Sequence, residues 1–119
     1  MNRKLLHGKI HGATVTGTAL DYEGSIGVDA DLLAAAGIVP LESVHVWNVT
    51  NGERFETYAI ASPAGSGEVI VNGAAARRTQ TGDRVIITAF TWVTAEEVHG
   101  HRASIVVVDE ANRKQEPKK

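Results

Sequence analysis

Short runs of β-branched and apolar residues, separated by turn residues, are the main pattern along this chain. In residues 41–50, Val44, Val46 and Asn48 fall on one side of a strand and the residues between them fall on the other. Comparable runs predict strands at 9–18, 41–50, 55–61, 68–71, 84–93 and 105–109. An all-β fold with a few short helices is therefore expected, and a closed barrel removes exposed strand edges. The pattern alone does not separate a barrel from a sandwich.

The connections carry clear turn and helix signals. Asn51-Gly52 lies between two strand runs and predicts a type I′ hairpin turn, which needs positive φ at both central residues. Asp29 is a good N-cap for a helix over 30–36, which Gly37 ends and Pro40 prevents from continuing. Shorter helical turns are predicted at 74–78 and 95–98, and residues 112–119 are expected to fray.

Length and composition limit the class of protein. The 119 residues, 43% of them hydrophobic, fit a single domain over 1–112 with a polar tail at 113–119. The absence of cysteine excludes a disulfide scaffold, thiol catalysis and cysteine-ligated zinc. A net charge of -2, with no basic cluster before the tail, argues against nucleic acid as a partner. No run approaches a membrane span and no signal peptide is visible, so a cytoplasmic protein is expected.

Gly24-Ser25 is the first candidate for chemistry. A serine after a glycine can turn its hydroxyl onto the preceding carbonyl, because glycine allows backbone conformations closed to other residues. The same pair also fits an ordinary tight turn. Residues 23–27 read Glu-Gly-Ser-Ile-Gly, so the nucleophile elbow of hydrolases is absent.

A second candidate lies on the strand at 55–61 and the residue before it. Strand alternation puts Arg54 and Tyr58 on one face and Thr57 on the other. Arg54 offers a planar fork that suits a carboxylate, and Tyr58 is a candidate proton donor. An exposed arginine beside a tyrosine at the barrel rim is the alternative interpretation.

The run of small residues at 72–76, Asn-Gly-Ala-Ala-Ala, is a third candidate. It would let a ligand approach backbone N–H groups, and it equally fits a short helix packed closely on the barrel. The five histidines lack the spacing of a metal site, so no metal is expected.

In combination these segments resemble the pyruvoyl-dependent aspartate decarboxylase family. The similarity runs from about Lys4 to Asn112, and it depends on the order and spacing of several weak motifs. The matching segments are Lys9-Ile10-His11, Ala13-Thr14-Val15-Thr16, Leu20-Asp21-Tyr22-Glu23-Gly24-Ser25, Ala35-Ala36-Gly37-Ile38, Trp47-Asn48-Val49-Thr50-Asn51-Gly52, Arg54, Thr57-Tyr58-Ala59-Ile60 and Val71-Asn72-Gly73-Ala74-Ala75-Ala76.

The resemblance implies a double-psi β-barrel, assembled as a homotetramer with active sites between subunits. It implies a precursor that cleaves itself between Gly24 and Ser25, giving a β chain of residues 1–24 and an α chain of residues 25–119. The self-processing residues would be Gly24, Ser25, Thr57 and Asn72. The cofactor would be a covalent pyruvoyl group made from Ser25.

The implied reaction converts L-aspartate to β-alanine and CO₂ for pantothenate and coenzyme A biosynthesis, through a Schiff base to the pyruvoyl group. Ser25 and Tyr58 would be catalytic, with Tyr58 as proton donor. The substrate would be bound by Lys9, Arg54, Thr57, Gly73, Ala74 and Ala75.

Three positions depart from the family pattern. Gly12 stands where the family often has arginine, Arg77 where it often has histidine, and Ile26 is bulkier than in some members.

The sequence also leaves open whether cleavage needs an accessory maturation protein. The alternatives are a non-catalytic double-psi barrel that serves as a binding module, and a pyruvoyl decarboxylase for another small amino acid.

Overall fold

The computed structural model describes residues 1–116, which form eight strands, one α-helix and two short 3₁₀ helices. The strands are β1 (Arg3–Thr14), β2 (Gly17–Ala19), β3 (Ser25–Asp29), β4 (Ser43–Asn48), β5 (Arg54–Ser62), β6 (Val69–Asn72), β7 (Arg84–Val93) and β8 (Ser104–Val107). The helix α1 spans Ala30–Ala35, and the 3₁₀ helices span Gly73–Arg78 and Val98–Gly100.

All eight strands belong to one mixed sheet with the order β2-β6-β3-β5-β4-β7-β1-β8. Three of its pairs are parallel, namely β1 with β8, β2 with β6, and β3 with β5. Parallel neighbours need a crossover connection, so the chain passes repeatedly from one part of the sheet to another. The short strand β3 consequently lies between β5 and β6, which come much later in the chain.

One apolar core lies on the enclosed face of the sheet. The predicted alternation of β4 is confirmed, because Val44, Val46 and Asn48 are buried and the residues between them are more exposed. The largest fully buried apolar side chains are Ile10, Val15, Ile26, Val28, Val44, Val46, Val69, Val71, Val85 and Ile87. All of them are β-branched, as expected for side chains that pack on the pleated surface of a sheet.

The predicted helix is confirmed almost to the residue. Asp29 is the N-cap, with Oδ1 accepting a hydrogen bond from the Asp31 N–H at 2.8 Å. Gly37 takes a left-handed φ of +69° directly after the last turn, as a C′ glycine does. The predicted turn at 74–78 is also confirmed by the 3₁₀ helix Gly73–Arg78, whereas the turn predicted at 95–98 is found at Val98–Gly100.

The predicted type I′ turn at Asn51-Gly52 is wrong, although β4 and β5 do form a hairpin. Gly52 has a φ of +79°, but Asn51 is not in the left-handed region. The buried Asn48 widens the connection, because its Oδ1 accepts hydrogen bonds from the N–H groups of Thr50 and Asn51. The side chain of Asn48 therefore sets the turn instead of the Asn-Gly pair.

Two strands depart most from the prediction. The strand expected at 9–18 begins six residues earlier, at Arg3, and is interrupted before the separate strand β2. The strand β3 was not predicted. All five of its residues are buried, so it lacks the alternation by which half-buried strands are identified.

The expected fraying of the chain from residue 112 is wrong for its first residues. Asn112 is buried, and its Nδ2 donates to the carbonyl oxygens of Thr14 and Gly67, at 2.8 Å each. Lys114 pairs with Val108 in an isolated bridge. The last three residues of the predicted tail, 117–119, lie outside the described residues. Among residues 1–116, no helix has the length and apolar character required to cross a membrane.

Candidate active site

Ser25 lies at the point where an exposed loop enters the sheet. Residues 21–24 are exposed, whereas Ser25, the first residue of β3, is only 3% exposed. Ser25 pairs with Asn72 on β6, and the next residue, Ile26, pairs with Ala59 on β5. The Gly24–Ser25 peptide bond therefore joins a solvent-exposed segment to a buried strand held from both sides.

The side chain of Asn72 contacts the hydroxyl of Ser25 directly. Its Nδ2 donates a hydrogen bond to Ser25 Oγ at 2.9 Å, and both residues are buried. This hydrogen bond fixes the position of Ser25 Oγ, and its donor carries no charge. Because the Asn72 amide acts as the donor in this contact, the hydroxyl proton of Ser25 remains available to leave.

The small residues 73–75 follow Asn72 immediately and begin the first 3₁₀ helix. Gly73 is buried, Ala74 is exposed, and Ala75 packs against the core. Gly73 has a φ of +72°, whereas Gly24 is not in the left-handed region. The sequence suggested that Gly24 needs a conformation that other residues rarely adopt. At this site Gly73 has such a conformation, and Gly24 does not.

Thr57 and Tyr58 are neighbours on β5 and lie on opposite faces of the strand, as predicted. Thr57 lies opposite the buried Val44, and Tyr58 lies opposite Ser43. Since Ala59 pairs with Ile26, the preceding residue Tyr58 is level with Ser25. The register therefore brings Tyr58 beside the residue that the resemblance assigns to chemistry.

Arg54 shares the face of Tyr58 but not its position along the strand. It lies four residues earlier on β5, which is about 13 Å at the usual rise of a strand. Its guanidinium stacks 4.8 Å from the ring centre of Trp47 on β4, on the side of β5 that faces away from β3. Arg54 lines a surface cavity of about 330 Å³ with Lys4, His45, Trp47 and Phe90.

Lys9 lies on β1, which is not a neighbour of the strand that carries Ser25. It pairs with Thr88 on β7 and Ile105 on β8, and β7, β4 and β5 separate its strand from β3. The structure thus brings Ser25, Asn72, Gly73 and Tyr58 together and leaves Arg54 and Lys9 on another part of the sheet.

Sequence reasoning did not assign Trp47 to the site, although it stacks on Arg54. The available signal was its outward position on a strand whose alternate residues are apolar and buried. A large aromatic residue on an outer face, opposite an arginine across a hairpin, indicates a surface that can contact a ligand or a partner.

The three departures from the family pattern lie in different settings. Gly12 takes a φ of +83° at an irregularity of β1, and its carbonyl oxygen accepts hydrogen bonds from the guanidinium of Arg84. Ile26 is fully buried in the core, and Arg77 is exposed. The hydrogen bond to Ser25 Oγ comes from Asn72 and not from any of these three residues.

Comparison with known proteins gives both the fold and the family. The family model described as aspartate decarboxylase matches residues 1–115. Aspartate 1-decarboxylase of Leptothrix cholodnii is 55% identical over 113 residues, covering 95% of this chain and 86% of the relative. Aspartate 1-decarboxylase 2 of Gloeobacter violaceus is 56% identical over 113 residues, covering 95% of this chain and 90% of the relative.

Among solved structures, the rationally designed mkDPBB_sym_86 protein, a double-psi β-barrel, superposes with a TM-score of 0.51. The match covers 66% of this chain and 92% of the design at 15% identity, so it bears on the fold alone. The predicted double-psi β-barrel is confirmed. With a family model that spans nearly the whole chain and relatives more than half identical to it, this chain belongs to the aspartate decarboxylase family.

Proposed function

We propose that this protein decarboxylates L-aspartate to β-alanine and CO₂, using a pyruvoyl group that it makes from its own Ser25. Family membership supports the reaction, and the hydrogen bond between Asn72 and Ser25 Oγ is the structural observation that supports the self-processing step. The product feeds pantothenate and coenzyme A synthesis, and we expect the enzyme in the cytoplasm.

Self-processing begins with attack of Ser25 Oγ on the carbonyl carbon of Gly24. The new C–O bond replaces the Gly24–Ser25 C–N bond, which leaves an ester and a free amino group on Ser25. Loss of the Cα proton expels the Gly24 carboxylate from Cβ, and water then replaces the nitrogen, which leaves as ammonia. The products are a β chain that ends at Gly24 and an α chain that begins with a pyruvoyl group.

The residues around Ser25 fit these requirements. Asn72 fixes the direction of the nucleophile, and burial of Ser25 keeps bulk water from competing with Oγ. The resemblance assigns to Thr57, on the other face of β5 from Tyr58, the stabilisation of the negative charge that develops on the Gly24 oxygen. An accessory maturation protein, if one acts on this chain, would accelerate this same step.

In turnover, a pyruvoyl group at position 25 would supply the electron-withdrawing carbonyl that decarboxylation requires. Tyr58, level with Ser25, would give a proton to the substrate carbon after CO₂ leaves. The backbone of Gly73, Ala74 and Ala75 would form the wall of the pocket, because larger side chains would occupy the volume of the substrate.

Arg54 and Lys9 would bind the side-chain carboxylate of the substrate, and their positions favour a site shared between subunits. The carboxylate of aspartate lies less than about 5 Å from its amine, three bonds away. The guanidinium of Arg54 stacks on Trp47, on the far side of β5 from β3. Because the Arg54 guanidinium is directed away from β3, we infer that a neighbouring subunit supplies the arginine at each Ser25.

The outer face around Arg54 is suited to contact a second copy of the chain. Cross-strand pairing aligns five residues in one row across β8, β1, β7, β4 and β5. They are Val107, His11, Ile86, Trp47 and Arg54. This apolar and cationic row supports the prediction of a homotetramer, in which the Arg54 and Lys9 of one subunit complete the site at the Ser25 of another.

Intact mass measurement of the purified protein is the direct test of self-processing. The wild type is expected to give two chains, with the larger one lighter by one ammonia than a fragment that starts with serine. Ser25→Ala should remain one chain and form no β-alanine. An intact wild-type chain without β-alanine formation would favour the binding module, and a processed protein that prefers another amino acid would correct the substrate.

Mixed assemblies test the shared site. Ser25→Ala and Arg54→Ala are each expected to be inactive alone. When co-expressed in equal amounts, roughly a quarter of the sites should pair an intact Ser25 with an intact Arg54 from a neighbour. Recovery of β-alanine formation supports the shared site. Continued inactivity of a mixed tetramer, isolated through a different affinity tag on each variant, rejects it.

A further inference from the structure

Gly73 lies against the backbone of the segment that precedes Ser25. A Cβ atom at Gly73 would be 2.7 Å from Gly24 Cα, 2.8 Å from Gly24 N and 3.0 Å from Tyr22 O. All three are backbone atoms, so no side-chain rotation relieves the overlap. Allowing one C–C bond of about 1.5 Å, the Cα atoms of Gly73 and Gly24 lie no more than about 4.2 Å apart.

Other glycines show that a left-handed conformation does not by itself produce such a close contact. Gly52 and Gly65 have φ values of +79° and +77°, close to the +72° of Gly73, but no atom lies within 4 Å of a Cβ placed on either. A Cβ on Gly24 itself would also meet open space. The two segments can therefore approach closely because Gly73, rather than Gly24, has no side chain.

Asn72 and Gly73 together contact the two residues that react in the proposed cleavage, Ser25 and Gly24. Asn72 Nδ2 holds Ser25 Oγ, the nucleophile. Gly73 packs against Gly24, whose carbonyl carbon is the electrophile. Because the two contacts come from adjacent residues, the distance and angle between nucleophile and electrophile depend on one short piece of backbone.

We propose that Gly73 is a positioning residue for self-cleavage, which keeps the Gly24 peptide in reach of Ser25 Oγ by having no side chain. This inference rests on the proposed self-processing and assigns Gly73 a role before any substrate binds. A Cβ would displace Gly24 by roughly 0.7 Å, from 2.7 Å to an ordinary contact of 3.4 Å, while Asn72 continues to hold Ser25 Oγ. Attack would then start from a longer distance and a poorer angle.

The test compares Gly73→Ala with Gly52→Ala in the full chain. Both variants force alanine into a left-handed conformation, but only the first meets the Gly24 backbone. Intact mass is followed over time from newly made precursor. Gly73→Ala is expected to cleave tenfold to a hundredfold more slowly, roughly the effect of misplacing reacting groups by up to about 1 Å, and Gly52→Ala should cleave as the wild type does.

A second measurement separates local displacement from general loss of structure. In a Ser25→Ala background, which is expected not to cleave, hydrogen exchange is compared with and without Gly73→Ala. Faster exchange is expected at residues 22–26, with β7 unchanged. If alanine prevents folding, Gly73→Asn replaces it, because asparagine accepts a left-handed φ better while keeping the Cβ.

Each outcome bears on one proposal. Cleavage of Gly73→Ala at the rate of Gly52→Ala overturns the positioning role. Equal loss of protection throughout the sheet, or failure of both Gly73 variants to fold while Gly52→Ala folds, overturns it too, since Gly73 would then serve folding itself. An uncleaved wild type instead rejects the proposed self-processing.

Discussion

Asn72 lies directly opposite Ser25 on the neighbouring strand and donates its side-chain amide to Ser25 Oγ at 2.9 Å. Both side chains are buried, so water does not readily replace either partner. The contact connects the start of β3 to the end of β6, two segments separated by 47 positions in the chain. Loss of this contact should therefore change the rate at which Ser25 reacts.

Replacing Asn72 by alanine should slow self-cleavage without abolishing it. The variant loses one neutral hydrogen bond, worth about 0.5–1.5 kcal/mol, which corresponds to at most about a tenfold change in rate. The rate is read from the appearance of the two chains by mass spectrometry. Asn51→Ala is the control, because it loses two exposed side-chain hydrogen bonds, one donated to the Arg78 carbonyl and one accepted from the Glu53 N–H. Equal rates in the wild type and Asn72→Ala would contradict the assigned role.

Arg54→Lys should weaken aspartate binding and leave cleavage intact. Lysine keeps the positive charge but loses the planar fork that pairs with a carboxylate. We expect a loss of about 1.5–3 kcal/mol, or roughly tenfold to a hundredfold in affinity. β-Alanine formation is measured against aspartate concentration in the processed variant. The exposed Arg77 provides the control Arg77→Lys, and unchanged affinity in Arg54→Lys would move the carboxylate contact to Lys9.

Tyr58→Phe should have the opposite kinetic signature. The pyruvoyl group still forms and aspartate still binds, but the proposed donor of a proton to the product carbon is missing. The turnover number should therefore fall far more than the affinity, by the roughly hundredfold or more typical of a lost general acid. Steady-state kinetics of fully processed enzyme separate the two quantities. Normal turnover would require another donor, with a bound water as the next candidate.

A prediction about stability concerns Asp29, which is buried and caps α1. Burial on its own raises the pKa of the Asp29 carboxyl, but hydrogen bonds from backbone N–H groups outweigh it and hold the pKa below its ordinary value of 3.8. The carboxylate accepts from Asp31 at 2.8 Å, from Gly65 at 3.0 Å and from Gly67 at 2.9 Å. It therefore ties the loop between β5 and β6 to the start of the helix.

Asp29→Asn should lower the free energy of unfolding by about 1–3 kcal/mol near neutral pH, because the amide turns a donor toward one of these N–H groups. A folded pKa below the unfolded one stabilises the protein above pH 3.8, and this contribution is lost as pH falls through the folded pKa. The difference in the free energy of unfolding between wild type and variant should thus become smaller in acid. Urea unfolding at several pH values measures it, with exposed Glu110→Gln as control. A gap independent of pH would contradict the ionised cap.

Local signals explain what the sequence predicted correctly. The helix α1 was predictable because its N-cap, small apolar residues and terminating glycine lie within ten positions. The strand β3 was not, because it is buried on both faces and so shows no alternation. The turn after Asn48 was misjudged because a side chain, rather than the Asn-Gly pair, takes the backbone N–H groups.

The candidate site was predictable only as a set of residues. The resemblance singled out Ser25, Tyr58 and Asn72, which the register brings together. The distance of Arg54 and Lys9 from Ser25 depends on strand order, which no local pattern encodes. The close approach of Gly73 to Gly24 depends in the same way on a contact between segments 49 positions apart.

The place of β1 between β7 and β8 has a consequence for the life of the mature protein. Once the Gly24–Ser25 bond is cut as proposed, residues 1–24 remain inserted along the whole length of β7 and beside β8. Unfolding then separates two polypeptides, and refolding becomes a second-order reaction that slows on dilution. Maturation would make folding a one-time event, so the enzyme would depend on slow unfolding, rather than on repeated refolding, to persist.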